Sequence, residues 1–230
     1  MALQIIEPER LGRGRFVVRP GPHYYQTDFP LTESPISEGG AWQNNGYGAI
    51  VATASGLAHG TQAGGSYDDS QAHLTGFAAD QTASATIYLD PTTALDTYRE
   101  LEVLLRWATS SGNTARGYEC NIAFATGAPY AEIVRWNGSL GDFTPLSHNT
   151  SGIPLPVTGD ILTAQIIGTV ITTSLYRPSS NTTYPLCTYD TAPDSTKWSS
   201  GNPGIGIWRG SGGSDQNAKY GFTHYSASDL

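Results

Sequence analysis

The sequence predicts an all-β protein, built as a two-sheet antiparallel β-sandwich with an N-terminal arm. Its 27 glycines, 14 prolines and 13 tyrosines, beside a single methionine, are typical of short strands joined by many turns. Apolar and polar residues alternate with a period of two along several stretches, and none keeps the 3.6-residue period of a helix. Because 230 residues can bury one large core, we expect a single domain over residues 23–230.

Residues 1–22 differ in composition from the rest of the chain. They hold about a third of its 12 basic residues, namely Arg10, Arg13, Arg15 and Arg19. One interpretation is a first strand of the sandwich over residues 15–19. The other, which we favour, is an arm that docks on a protein subunit or a neighbouring copy.

The strands of the sandwich follow in chain order, each bounded by turn residues. They are predicted over residues 47–54, 84–89, 99–107, 117–125, 130–136, 140–146, 161–167, 170–176, 205–208 and 220–226. Asp90-Pro91 ends the second strand, Asn137-Gly138 predicts a hairpin turn, and Gly168-Thr169 separates another strand pair. Residues 57–69 and 177–202 are rich in glycine or polar residues, which predicts long loops.

The alternation also assigns a core face. The predicted core consists of Val103, Leu105, Cys120, Ile122, Ile133, Leu162, Ala164, Ile166, Ile205 and Ile207, with Trp42, Trp107 and Trp198 assigned to packing. A slip of one residue would expose this whole set, so the choice of face is strongly constrained. Cys120 and Cys187 match no metal-binding spacing, and we predict two free thiols.

The opposite face is the candidate binding surface. If the strands are neighbours in register, one exposed face carries Glu102, Arg106, Glu119, Asn121, Glu132, Trp136 and Trp208. Indole rings stack on the apolar faces of sugar rings, and carboxylates and amides accept hydrogen bonds from hydroxyl groups. In this interpretation Arg106 orients the carboxylates. The competing one is that the carboxylates pair with Arg106 and Arg135 or are simply solvated.

Composition and motifs exclude several functions. The formal net charge of −8 and the scattered basic residues argue against nucleic acid as a partner. No apolar run is long enough to span a bilayer, and no signal-peptide pattern begins the chain. The expected location is therefore a virion, or the cell exterior after export by another route. The five histidines are dispersed and no nucleophile elbow occurs, so we assign no catalytic residue and no metal-ligand motif.

The order of elements resembles the concanavalin A-like lectin/glucanase jelly rolls, which include laminin-G-like domains. The resemblance spans roughly residues 25–230 and rests on Asp28-Phe29, Trp42, residues 118–124, 130–136 and 159–176, the stretch 200–206 and the strand 222–226. It implies two stacked antiparallel sheets, with ligands on one sheet or its edge loops. The carboxylate motif of the family's glucanases and the basic and histidine motifs of its lyases are missing here.

Three functions remain open at this point. The first is a non-catalytic module that recognises a glycan or polysaccharide, and the second is a structural or attachment subunit of a larger assembly such as a phage particle. The third is a glycoside hydrolase or polysaccharide lyase of unrecognised type, resting on the carboxylates alone. We expect no cofactor, although the resemblance implies that calcium is conceivable, with Asp68-Asp69 or Asp28 as ligands.

Overall fold

Two antiparallel sheets pack face to face and form a β-sandwich, which confirms the predicted fold class. The computed structural model describes residues 22–44, 49–62, 69–92, 99–110, 114–124, 128–139, 141–209 and 214–230. The predicted arm at residues 1–22 therefore lies outside the described residues, apart from Pro22. Within the described ranges, helical structure is confined to short 3₁₀ segments, and no helix there has the length and apolar character needed to cross a membrane.

The described residues form fifteen strands. They are β1 (Tyr24–Thr27), β2 (Gln43–Asn44), β3 (Ala52–Ala54), β4 (Leu57–His59), β5 (Ser70–His73), β6 (Gln81–Leu89), β7 (Arg99–Ser110), β8 (Thr114–Phe124), β9 (Tyr130–Ser139), β10 (Phe143–Asn149), β11 (Ile161–Ile167), β12 (Val170–Arg177), β13 (Thr182–Asp190), β14 (Asn202–Trp208) and β15 (Tyr220–Asp229). The eight-stranded sheet has the order β13-β12-β11-β6-β15-β4-β3, with β1 also paired to β15. The seven-stranded sheet has the order β10-β9-β8-β7-β14-β5-β2.

The core between the sheets is the one that the alternation predicts. Every predicted core residue lies in one hydrophobic cluster, and each is fully buried. Trp42 also belongs to this cluster, and Trp198 packs against it. Cys120 and Cys187 are buried free thiols, as predicted.

Several strands occur where the sequence predicts loops. β13 lies within the predicted loop 177–202 and β4 within the predicted loop 57–69, and β1 precedes the first predicted strand of the domain. Both β1 and β13 carry many threonines and tyrosines, which have high strand propensity but little apolar periodicity. The predicted hairpin turn is also displaced, because β9 continues through Asn137-Gly138 and the reversal follows Ser139, where Asp142 N donates to the Ser139 carbonyl.

A β-bulge in β7 changes which face its later residues occupy. The register between β7 and β8 shifts between Leu105 and Ala108, and Arg106 has the left-handed φ of 47°. Trp107 consequently packs in a second cluster, outside the sandwich core, with Leu104 and Trp136. A Cβ at Gly117 would lie 2.7 Å from the Trp107 ring, so the glycine makes room for it.

Candidate functional site

The outer face of the seven-stranded sheet brings the predicted polar residues together. In the ladder, Gly206 of β14 pairs with Glu102 of β7, Glu102 pairs with Asn121 of β8, and Asn121 pairs with Glu132 of β9. Paired residues in a sheet share a face, so these side chains form one row across the strands. Trp208 belongs to the same face, where it pairs with Glu100.

A pocket of about 190 Å³ opens on this face. Its lining combines acidic, amide and aromatic side chains: Asp69, Glu100, Glu119, Asn121, Tyr130, Glu132, Val134, Trp136, Phe143 and Trp208. Five of the seven predicted site residues are in this lining. Glu102 and Arg106 are not in the lining, although a Glu102 carboxylate oxygen lies within 4.8 Å of those of Asp69 and Glu119.

The predicted surface is not an open, exposed face, which corrects the sequence-based expectation. Glu102 is 0% exposed, Asn121 1%, Trp136 3% and Glu119 4%. Glu119 accepts a 2.6 Å hydrogen bond from Trp136 Nε1 and a 2.8 Å hydrogen bond from Asn121 Nδ2. The pocket floor is thus a buried polar network.

Trp136 cannot serve as the exposed stacking platform that the alternation suggests. Its ring contacts Trp107 and Phe143, with ring centroids 6.3 and 5.7 Å away. Trp208 is only partly buried and lines the pocket. Of the two predicted tryptophans, Trp208 is the one available for stacking on a ligand.

The prediction that Arg106 orients the carboxylates is wrong. Because Arg106 sits in the β7 bulge, its guanidinium points to other segments and donates to the carbonyls of Ala79, Gly168 and Trp198 at 2.8–2.9 Å. It also lies 3.3 Å from Asp80. Arg106 therefore holds loops together and does not contact the pocket.

Arg135 does not neutralise the pocket either. It donates to Asn137 and to the Thr196 carbonyl, and its nearest acidic partner is Asp194 at 3.7 Å. The alternative in which Arg106 and Arg135 pair with the central carboxylates is therefore also wrong. In the described part of the chain, no arginine or lysine forms an ion pair with Glu102 or Glu119.

Crowding of acidic groups in a buried floor shifts their pKa values. Burial, with Glu119 nearby, raises the pKa of Glu100 to about 8, although Tyr130 donates a hydrogen bond to it. Burial raises the pKa of Glu119 as well, opposed by its hydrogen bonds from Asn121 and Trp136. The Glu102 pKa is raised by burial and then by Glu119 and Asp69.

The Glu100 shift predicts a pH dependence of stability. Because its folded-state pKa is raised from 4.5 to about 8, its stabilising contribution is complete below pH 4.5 and is lost as the pH rises through 8. In metal-free buffer, the free energy of unfolding should fall over this range by on the order of a few kcal/mol. Glu100→Gln should flatten the slope, whereas Asp142→Asn at an exposed position should not. An unchanged slope in Glu100→Gln would contradict the assignment.

The pocket wall at β9 and β10 is polar and aromatic. His148 Nδ1 forms a hydrogen bond with Glu132, and the rings of Tyr130 and His148 lie 5.2 Å apart. Glu132 thus keeps a partner while lining the pocket.

Glu100, Tyr130, Val134 and Phe143 line the pocket but are not among the predicted site residues, and Asp69 was predicted only as a calcium ligand. Glu100 lies two residues before Glu102, and Tyr130 two residues before Glu132. The period-two alternation therefore places both on the predicted binding face and could have identified them. Phe143 and Asp69 required the pairing of β10 and β5, which local periodicity does not reveal.

Comparison with known proteins supports the fold only. No protein-family model and no curated protein sequence matches this chain. Among solved structures, it is similar to the carbohydrate-binding module CBM66 from Bacillus subtilis, with 12% identity, 85% of this chain and 96% of that chain covered, and a TM-score of 0.52. It is also similar to the CBM2 module of the Lactobacillus casei BL23 phage J-1 evolved Dit, with 10% identity, 90% and 95% coverage, and a TM-score of 0.57.

A third similar structure is the GH43 BlXynB protein from Bacillus licheniformis. The identity is 13% and the TM-score 0.55, over 89% of this chain and 39% of that chain. The chain therefore has a β-sandwich fold that also occurs in carbohydrate-binding modules.

Proposed function

We propose that this protein is a non-catalytic carbohydrate-recognition module of the concanavalin A-like type, and that its ligand binds in the pocket on the seven-stranded sheet. The observation that carries the proposal is the lining itself. Trp208 offers a partly exposed indole ring beside the carboxylate of Glu132, which can accept hydrogen bonds from hydroxyl groups. An aromatic platform beside several acceptors suits a sugar ring, which has apolar faces and donor hydroxyl groups.

The size and charge of the pocket favour one class of sugar over others. A volume of about 190 Å³ is below the roughly 300–1,000 Å³ typical of drug-sized ligands, which favours a single sugar ring at a chain end. Uronic or sialic acids would place a further carboxylate beside Glu119 and Glu132, and repulsion disfavours them. Neutral sugars are therefore the preferred ligands.

A hydrolase remains the weaker alternative. A retaining glycosidase places two carboxylates about 5–5.5 Å apart, one on each side of an accessible glycosidic bond. Here Glu102 is fully buried, and its carboxylate crowds within 4.8 Å of those of Asp69 and Glu119. Because Glu102 is fully buried and Glu119 is only 4% exposed, a glycosidic bond has no access between them, so we favour recognition without turnover.

Glycan recognition does not exclude the second function, that of a structural or attachment subunit of a larger assembly. The similarity to a module of a phage Dit protein supports only the fold, but it is an example of this sandwich in a phage component. The predicted docking of residues 1–22 on a protein subunit would then position the pocket on a particle. Sizing of the chain with and without these residues tests this role.

Binding to an array of neutral and acidic oligosaccharides tests the glycan proposal. Trp208→Ala is expected to weaken binding by roughly five- to thirtyfold, since a stacked aromatic contributes about 1–2 kcal/mol. Tyr24→Ala, at an exposed aromatic residue on the other sheet, is the matched control and should bind as the unaltered protein does. Equal binding by Trp208→Ala, or a preference for acidic glycans, would contradict the proposal. Sugar release that depends on Glu119 would instead indicate an enzyme.

A further inference from the structure

Three acidic side chains converge at the pocket floor. Asp69 is 5% exposed, Glu102 0% and Glu119 4%. One oxygen atom of each lies within 4.8 Å of the others. Calcium binds oxygens at about 2.3–2.6 Å, so ligands on opposite sides of one ion are about 4.8 Å apart. A single ion could therefore reach all three carboxylates.

Asn121 provides an independent observation at the same place. Its Nδ2 donates to Glu119, whereas its Oδ1 is buried and has no hydrogen-bond partner in the part of the chain that the structure describes. The residue is 1% exposed and lines the pocket beside Glu119. Buried amide oxygens are nearly always paired, and an amide oxygen is a calcium ligand.

The carboxylate oxygens of Glu102 are also buried and, among the described residues, unpaired, which suits them to bind a cation. Neither carboxylate oxygen accepts a hydrogen bond of good geometry from the described residues, although Gln71 lies near it. A Cβ on Gly206 would lie 1.9 Å from Glu102 Oε2, so the glycine leaves the space that the carboxylate occupies. No described arginine or lysine pairs with Glu102 or Glu119, which leaves their charge without a cationic partner from those residues.

We propose that Asp69, Glu102, Glu119 and Asn121 bind one calcium ion at the floor of the pocket. The ligands are all oxygens, which suits calcium or magnesium and not zinc. Carboxylates that bind through one or both oxygens fit the roughly six to eight ligands and irregular geometry of calcium, whereas magnesium demands a near-ideal octahedron. This inference goes beyond glycan recognition and does not depend on it.

Thermal unfolding and titration calorimetry of the full chain with CaCl₂ test the proposal. About 1 mM calcium should raise Tm by roughly 5 °C or more, and the same concentration of magnesium by less. Glu102→Gln should have two opposite effects. It should raise Tm in chelator, because it relieves repulsion among buried carboxylates, and it should abolish the calcium response.

Two further variants keep the test decisive. Asp69→Asn should also lose the response, and it serves if Glu102→Gln does not fold. Asp28→Asn is the matched control, because Asp28 is an exposed carboxylate that bonds to His224 away from the pocket, and it should respond as the unaltered protein does. No calcium response in the unaltered protein would overturn the proposal. A response that survives in Glu102→Gln, or one lost only in Asp28→Asn, would overturn it too.

Discussion

Arg106→Ala is expected to lower the free energy of unfolding by about 3 kcal/mol or more. The side chain is 4% exposed and donates to the carbonyls of Ala79, Gly168 and Trp198. These carbonyls belong to three separate segments, so one guanidinium ties the β5–β6 connection, the β11–β12 turn and the segment before β14 together. Truncation would leave those acceptors without this donor, which is more costly than losing a surface ion pair.

Chemical denaturation measures this loss, and Arg116→Ala is its matched control. The Arg116 side chain is exposed and stacks on Trp198, with its guanidinium carbon 5.2 Å from the ring centroid. Its removal should cost less than about 1 kcal/mol. Equal losses in the two variants would show that the Arg106 network does not contribute as described.

Trp136→Ala is expected to cost about 3–5 kcal/mol of stability. The indole is 3% exposed, packs with Trp107 and Phe143, and donates to Glu119. Removing it would open a cavity and take a hydrogen-bond donor from a buried carboxylate. Loss of glycan binding in this variant would therefore reflect damage to the pocket wall and not the loss of a stacking surface.

Trp136→Phe separates the two contributions to this loss. The phenyl ring keeps most of the packing but cannot donate to Glu119, so we expect a smaller loss of about 1–3 kcal/mol. Urea unfolding curves of both variants give the comparison. A cost below about 1 kcal/mol for Trp136→Ala would mean that the ring is not packed as the structure describes.

The period-two alternation predicted the core and most of the pocket face. Leu101 and Val103 point to the core, so Glu100 and Glu102 must point outward, and the same argument places Asn121 and Glu132. The argument fails after Leu105, because a bulge adds a residue and moves Arg106 and Trp107 off the expected faces. The alternation of apolar and polar residues does not predict such a bulge.

Burial of the outer face could not be predicted either. Whether Glu119 is solvated or enclosed depends on which side chains stand around it, and these include Phe143 from β10 and Asp69 beside β5. Those contacts follow from long-range strand pairing, which the sequence pattern does not specify. The sequence therefore indicated five of the residues that meet at the pocket, but not that they form a buried acidic floor.

A crystal structure of the protein with its best-bound oligosaccharide from the array tests the central claim most directly. The account predicts a terminal sugar ring in the pocket, stacked on Trp208, with a hydroxyl group within hydrogen-bond distance of the Glu132 carboxylate. The same crystals would show whether the sugar avoids the fully buried Glu102. A sugar bound on the eight-stranded sheet, or at a sheet edge away from Trp208, would contradict the account.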